Sequence, residues 1–323
     1  MLPKQTGEKY LLSSSPHAHA DASTSRIMLD VVIALLPALC CGVYFFGFRV
    51  LLLTGTCIAA SLVTEALCRL AMKRENTIGD FSAVVTGLLL ALNLPPNLPV
   101  WMAALGGAFA ISVAKQVFGG LGYNPFNPAL AARAFLLISF TGPMTTWTES
   151  AWRGADAVTT ATPLALIKKG AEGFDWSQAA LLKDLFLGNV NGCIGEVSAL
   201  ALLIGAIYLL VRKVITWHIP VSFLATVFIF AMIKGGVPPL VHVLSGGCVI
   251  GACFMATDYV TSPITAKGKL IFGCGCGLLT MLIRTAPTGA YPEGVSFSIL
   301  IMNGLTPLIN RFTQPKPFGK VKK

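Results

Sequence analysis

The sequence predicts an all-α polytopic membrane protein of about ten transmembrane helices, and three observations support that fold class. Hydrophobic residues make up 54% of the 323 positions and charged residues only 12%, about half the charged share of a typical soluble domain. Mean hydropathy is +0.73. Apolar runs also recur along the chain, most of them near the ~20 residues that cross a ~30 Å hydrocarbon core. The 24 basic and 14 acidic side chains cannot clothe a globule of this size in a polar shell. A soluble enzyme, a disordered tail and a nucleic-acid binder are therefore excluded, although the net charge is +10.

The apolar runs fall at 27–46, 50–72, 80–94, 98–115, 125–140, 194–211, 215–233, 240–257, 268–284 and 295–311. The first two are full-length spans. The third and fifth, 80–94 and 125–140, are short. Asn93-Leu-Pro-Pro-Asn97 closes the third, Gly119-Gly-Leu-Gly122 follows the fourth, and Gly235-Gly-Val-Pro-Pro239 divides the seventh from the eighth. Short, Pro- and Gly-interrupted segments predict broken or tilted helices whose freed backbone groups are satisfied inside the bundle. The resulting organisation is a polar N-terminal segment 1–26, a membrane half 27–140, a hydrophilic loop 141–193, a second half 194–311 and a basic tail 312–323. The first 26 residues lack an apolar h-region, so no cleavable signal is expected.

Orientation follows from Lys and Arg. With the N-terminus inside, 16 of the 24 basic residues fall on the cytoplasmic side, Lys115 among them. Seven fall outside, including Arg284, and Arg133 lies mid-span. Both termini are predicted to be cytoplasmic and the long loop external. Gly106-Gly107 recurs as Gly246-Gly247, and the Asn124–Pro128 turn has a looser counterpart in Thr261-Ser262-Pro263. An odd count of five spans per half makes such repeats inverted.

Nine cysteines make no disulfide framework. Most lie in apolar runs, where free Cys behaves as a small hydrophobe, and Cys193 alone is expected near an exposed loop. No CxxC occurs, so no metal or cluster site is assigned. His17 and His19 are read as capping or partner contacts rather than metal ligands. Asn127-Pro128 reads as a helix start, N-cap followed by N1 proline. Glu65 and Arg69 read as an ordinary i,i+4 pair. Charges inside spans are functional candidates: Arg133, and Asp258 beside Thr257, Thr261 and Ser262, an oxygen-rich group of the kind hard cations prefer. A purely structural role is the competing reading: an Arg–carboxylate pair joining the halves, or a capped helix end.

The outer loop carries Asp156-Ala-Val-Thr159-Thr160-Ala161-Thr162-Pro163. One reading is a polar turn in which Thr162 caps a short helix over 163–169. The other is flavin attachment: the run resembles the D-x-x-S/T-G/S-A-T pattern at which a flavin transferase joins FMN, through its phosphate, to the final Thr. Thr160 stands where Gly or another small residue is commoner.

Further stretches extend the likeness. Gly122-Tyr-Asn124-Pro125-Phe-Asn127-Pro128-Ala129 and Arg133 precede the loop; Phe254-Met-Ala-Thr257-Asp258-Tyr-Val-Thr261-Ser262-Pro263 follows it. With Ser15-Pro16-His17-Ala-His19, Glu293-Gly294-Val295 and Met302-Asn303, the whole chain resembles the RnfD component of the Rnf complex, the ion-translocating ferredoxin:NAD oxidoreductase. The NqrB component of the sodium-pumping NADH:quinone oxidoreductase is a more distant relative. The resemblance implies a prokaryotic inner-membrane flavoprotein with FMN on Thr162. Asp156, Thr159 and Thr160 then belong to the attachment motif, and Asn127 and Arg133 to cofactor binding. A second, non-covalent flavin such as riboflavin, and an ion path at Asp258 and Thr257, are also expected. The implied partners are cluster-bearing membrane subunits, an outer flavin subunit, cytoplasmic NAD and ferredoxin subunits, and the flavin transferase. With no cluster ligands and no dinucleotide fingerprint, the chain is expected to be inactive alone. The alternative is a secondary transporter or channel with inverted repeats and no cofactor, which would be colourless where a flavoprotein is yellow.

Overall fold

A computed structural model describes residues 23–75, 77–147, 162–168, 179–188, 190–286 and 294–315. His17, His19, Asp156, Thr159, Thr160 and Glu293 lie outside these residues. All regular structure among the described residues is helical.

Helix α1 (Thr24–Phe46) starts where Ser23 Oγ accepts the Arg26 N–H at 3.3 Å. It is followed by α2 (Arg49–Ala71). Asp80 then accepts the Ser82 N–H at 2.8 Å and its hydroxyl at 2.6 Å, setting the start of the short α3 (Ser82–Leu92). Helix α4 (Val100–Ile111) runs on into a π turn, Ser112–Gln116. Helix α5 (Pro128–Ser139) begins as its sequence predicts: Asn127 Oδ1 accepts the Ala129 and Leu130 N–H groups, with Pro128 at N1. Three short helices follow, α6 (Thr141–Met144), α7 (Pro163–Lys168) and α8 (Ala179–Leu187). The second half comprises α9 (Ala199–Val211), α10 (His218–Lys234), α11 (Pro239–Leu244), α12 (Cys248–Ile250) with a π turn at Gly251–Met255, α13 (Ala266–Thr285) and α14 (Val295–Thr313).

Among the described helices, α1, α2 and α13 are long and apolar enough to cross a membrane, and several shorter ones are equally apolar. Large apolar side chains point outward as well as inward: Leu70, Ile233 and Phe312 are exposed, while Leu35, Leu53, Leu90, Phe223 and Phe272 are fully buried. A helix that is apolar all round is what a lipid solvent selects. Within each half, helices approach through small residues, as membrane helices do. A Cβ on Gly107 would lie 2.9 Å from the Cys57 carbonyl oxygen on α2, and one on Gly277 would lie 2.8 Å from the Phe223 carbonyl oxygen on α10. The halves meet where α1 packs on α9 and α5 on α14. At the first contact, Tyr208 and Arg212 both hydrogen-bond the buried Asp30 carboxylate.

The structure corrects several sequence expectations. The apolar run 240–257 is broken, with Gly246 and Gly247 at φ 63° and 70°, a region glycine enters without steric cost. Gly106 and Gly107 lie inside a continuous helix, so the two glycine pairs are not conformational equivalents. The run beginning at 194 opens with a buried connector: Ile194 N–H donates to Leu94 O at 3.1 Å and Gly195 N–H to Leu92 O at 2.7 Å. That pairing tucks Cys193 inside at 0% exposure, not into an exposed loop. Glu65 does not rely on Arg69; it turns inward to Lys115 at 2.8 Å. Lys115 and Arg284, which the Lys/Arg tally counts as topology signals, are buried. One drops from each side, which leaves the inside excess unchanged.

Candidate functional site

Two cavities and a polar seam between them bring the predicted residues into relation. One cleft, about 370 Å³ with its open mouth included, is lined by Thr162, Asn191, Gly192, Glu196, Ser245 and Gly246, among others. Thr162 is half-buried at the start of α7, and its hydroxyl accepts the Ala165 N–H at 3.3 Å. The capping geometry expected from Thr162-Pro163 is therefore present. Leu164, 4% exposed, sits over the α11–α12 break, where any Cβ on Gly246 would collide with it.

The break frees backbone carbonyls, and a buried carbonyl left unpaired would be costly. Arg284 satisfies them. Its Nη1 donates to His242 O at 2.6 Å, and Nη2 to Ser245 O and Gly246 O at 3.0 Å each. A planar guanidinium with several fixed donors suits this role better than an ammonium. On the other side of the break, Glu196 Oε1 would lie 2.6 Å from a Cβ on Gly247. A Cβ at that position would force the carboxylate to shift.

Glu196 pairs with Arg133 at 3.2 Å, both side chains 5% exposed. Arg133 also donates to Asn93 Oδ1 at 2.7 Å and to Cys193 Sγ at 3.3 Å. Asn93 Nδ2 in turn reaches Leu89 O at 2.6 Å and Met255 Sδ at 3.7 Å. Asn127 Nδ2 donates to Met255 O at 3.2 Å. Glu196, Arg133, Asn93, Met255 and Asn127 thus form a continuous buried line joining both halves. Arg133 lines neither of the two cavities; its pairing is the Arg–carboxylate link that the structural reading anticipated.

The line ends at an inner cavity of about 790 Å³ empty volume, lined mainly by apolar side chains with Lys115, Asn127, Thr257 and Asp258 among them. Asp258 accepts the Thr261 hydroxyl at 3.1 Å. The Thr257 hydroxyl donates back to Cys253 O at 2.7 Å. The two predicted groups, Asn127 and the Asp258–Thr257 pair, therefore share one cavity.

Beside it lies a buried charged network. Lys115, on the π turn, donates to Glu65 Oε1 at 2.8 Å and to Ser82 Oγ at 2.6 Å. Gln116 and Thr77 donate to the same carboxylate oxygen. Three oxygens of this network or one helical turn from it, Glu65 Oε2, Gln116 Oε1 and Ser61 Oγ, have no hydrogen-bond partner among the described residues. Sequence reasoning missed Glu196, Asn93, Arg284 and the Glu65–Lys115 pairing. For Glu196, Arg284, Glu65 and Lys115 the available signal was the ionisable residue in or at the edge of an apolar run, which local pattern alone presents as an i,i+4 pair or a topology signal.

Comparison with known proteins supplies the family. The family model described as NQR2, RnfD, RnfE matches residues 11–319. The chain is 54% identical over 316 residues to the D component of the Na(+)-translocating ferredoxin:NAD(+) oxidoreductase complex of Acetobacterium woodii, covering 97% of this chain and 96% of that protein. It is 48% identical over 321 residues to the D component of the proton-translocating ferredoxin:NAD(+) oxidoreductase complex of Clostridium ljungdahlii, covering 96% of each. A third relative, the D component of the ion-translocating oxidoreductase complex of Pectobacterium carotovorum, is 37% identical over 349 residues, with 96% and 99% covered. On a match spanning nearly its whole length, the chain belongs to the NQR2, RnfD, RnfE family.

Proposed function

We propose that this chain is the membrane flavoprotein subunit of a redox-driven ion pump, carrying FMN on Thr162 and serving electron flow between ferredoxin and NAD. One observation carries the reading: the threonine that ends the Asp156–Thr162 attachment pattern presents a half-buried hydroxyl at a cleft formed with residues 190–196 and the α11–α12 break. The residues fit a tethered cofactor. Thr162 would hold the phosphate, and Asp156, Thr159 and Thr160 would be read by the transferase during attachment. The flavin supplies the electron-carrying chemistry, and the protein supplies position and electrostatics. The inner cavity suits a second, non-covalent flavin, with apolar walls for a ring system and the Asn127 amide and Asp258 carboxylate for its polar edge.

The names of the relatives support partnership with the other subunits of an Rnf-type complex, through which electrons would enter and leave. Ten spans in a cytoplasmic membrane, both termini inside and the Thr162 loop outside, accord with the Lys/Arg bias. Two inverted five-span repeats accord with the pair of π turns and with Pro99 and Pro238 as matching N-caps of α4 and α11. The test is in-gel flavin fluorescence with mass spectrometry of the 154–168 peptide, from a host expressing the transferase. A fluorescent band and a peptide heavier by one FMN are expected; an unmodified peptide overturns the reading.

For the ion path, Asp258→Asn keeps size and hydrogen bonding while removing the charge that attracts a cation. Coupled transport in vesicles reconstituted with the whole complex should fall severalfold with flavin content unchanged. Unchanged transport would remove Asp258 from the route.

A further inference from the structure

We propose that Leu164 is the positioning residue of the tether: seated in the socket that Gly246 leaves at the α11–α12 break, it fixes where the Thr162 attachment oxygen stands. The inference rests on the tether reading above and goes beyond it by naming the contact that holds the attachment point. Leu164 is 4% exposed, although it belongs to a six-residue helix. A helix that short is not stable by its own hydrogen bonds, so its place is set by what its side chains touch. A Cβ on Gly246 would fall on Leu164 Cδ1, so the leucine occupies the space that glycine leaves. Leu185 of α8, 1% exposed, and Leu244 of α11 line the same cleft, which makes the seat apolar. Its floor is fixed as well, because Arg284 Nη2 donates to both the Ser245 and Gly246 carbonyls at 3.0 Å.

The link from this seat to Thr162 is short and stiff. Pro163 alone separates the two residues, and its ring restricts the backbone between them. The Ala165 N–H closes the turn on Thr162 Oγ at 3.3 Å. An ester oxygen keeps a lone pair, so Oγ can accept that bond after a phosphoester has formed. With Leu164 seated, the attachment oxygen is held at the break. With the seat empty, the helix and whatever it carries are free to shift, and a misplacement of ~1 Å can cost about 100-fold in rate.

The experiment is stopped-flow reduction of the purified whole complex, following the flavin phase that Thr162→Ala removes, for wild type, Leu164→Ala and Leu164→Met. Leu164→Ala should keep its covalent flavin, because the Asp156–Thr162 pattern is untouched, and should keep the flavin's potential, yet slow that phase roughly tenfold. Leu164→Met, of similar volume, should restore most of the rate. Should Leu164→Ala fail to assemble, Leu164→Val carries the same test with a smaller slowing. A wild-type rate in the shortened variant overturns this inference and leaves the tether standing. Loss of covalent flavin from an assembled Leu164→Ala complex also overturns it, since Leu164 would then be part of what the transferase reads. A wild-type complex without flavin on the 154–168 peptide overturns both readings. A purely structural role would lower the melting temperature of the complex without slowing the phase in the folded fraction, and that result too would overturn the inference.

Discussion

Thr162→Ala should yield a chain that inserts and assembles but carries no covalent flavin. The phosphoester needs a hydroxyl, and alanine removes it without changing the backbone. The structural loss is small: one N-cap hydrogen bond, from the Ala165 N–H, on a partly exposed six-residue helix, costing ~1 kcal/mol. In-gel fluorescence should therefore disappear while the yield of assembled complex holds. Thr159→Ala and Thr160→Ala should keep most of the flavin, since neither is the terminal Thr of the pattern. A fluorescent band surviving in Thr162→Ala would move the attachment elsewhere. Loss of the complex together with the flavin would mean that Thr162 matters for folding, against its partial exposure.

Lys115→Met should produce the largest loss of stability among single changes to the network beside the inner cavity. Lys115 is 2% exposed and Glu65 0%. A methionine of similar length fills the space but leaves a buried carboxylate without its cation, and breaking such a pair from one side costs ~3–5 kcal/mol. Ser82 Oγ loses its donor from Lys115 and keeps only its bond to Asp80. The apparent melting temperature of the detergent-purified complex, followed by size-exclusion of heated samples, should fall markedly. The double variant Lys115→Met/Glu65→Gln should recover part of that loss, because the remaining side chain no longer bears a charge. A melting temperature unchanged in Lys115→Met would show that the pair does not hold α2 to the π turn. A double variant as unstable as the sum of its singles would show that the two residues act separately.

Both predictions concern polar atoms inside an apolar chain, and this is where sequence and structure part. The helices were largely legible because their signals are local. A chain with 12% charged residues announces its solvent, and Asn127-Pro128 starts α5 by hydrogen bonds to the next two or three residues. Thr162-Pro163 starts α7 for the same reason. Family membership was legible too, because the motifs lie along the whole chain in order. The pairing of charges was not legible. Glu65 had a plausible partner four residues away in Arg69, yet its cation is Lys115, fifty residues on. Arg133 meets Glu196 sixty-three residues away, and Arg284 closes a helix break thirty-eight to forty-two residues back.

By itself, then, the sequence determined the solvent, the helical segments, their local caps and the family. Each of these depends on composition, or on hydrogen bonds spanning a few residues. Only the tertiary structure decided that residues 240–257 break at Gly246 and Gly247, that Cys193 is buried, and that Thr162, Glu196 and the break share one cleft. The physical reason is that buried charges and freed carbonyls must be satisfied within the bundle. Which side chain satisfies them depends on how α5, α11 and α13 lie against one another, and no local pattern encodes that.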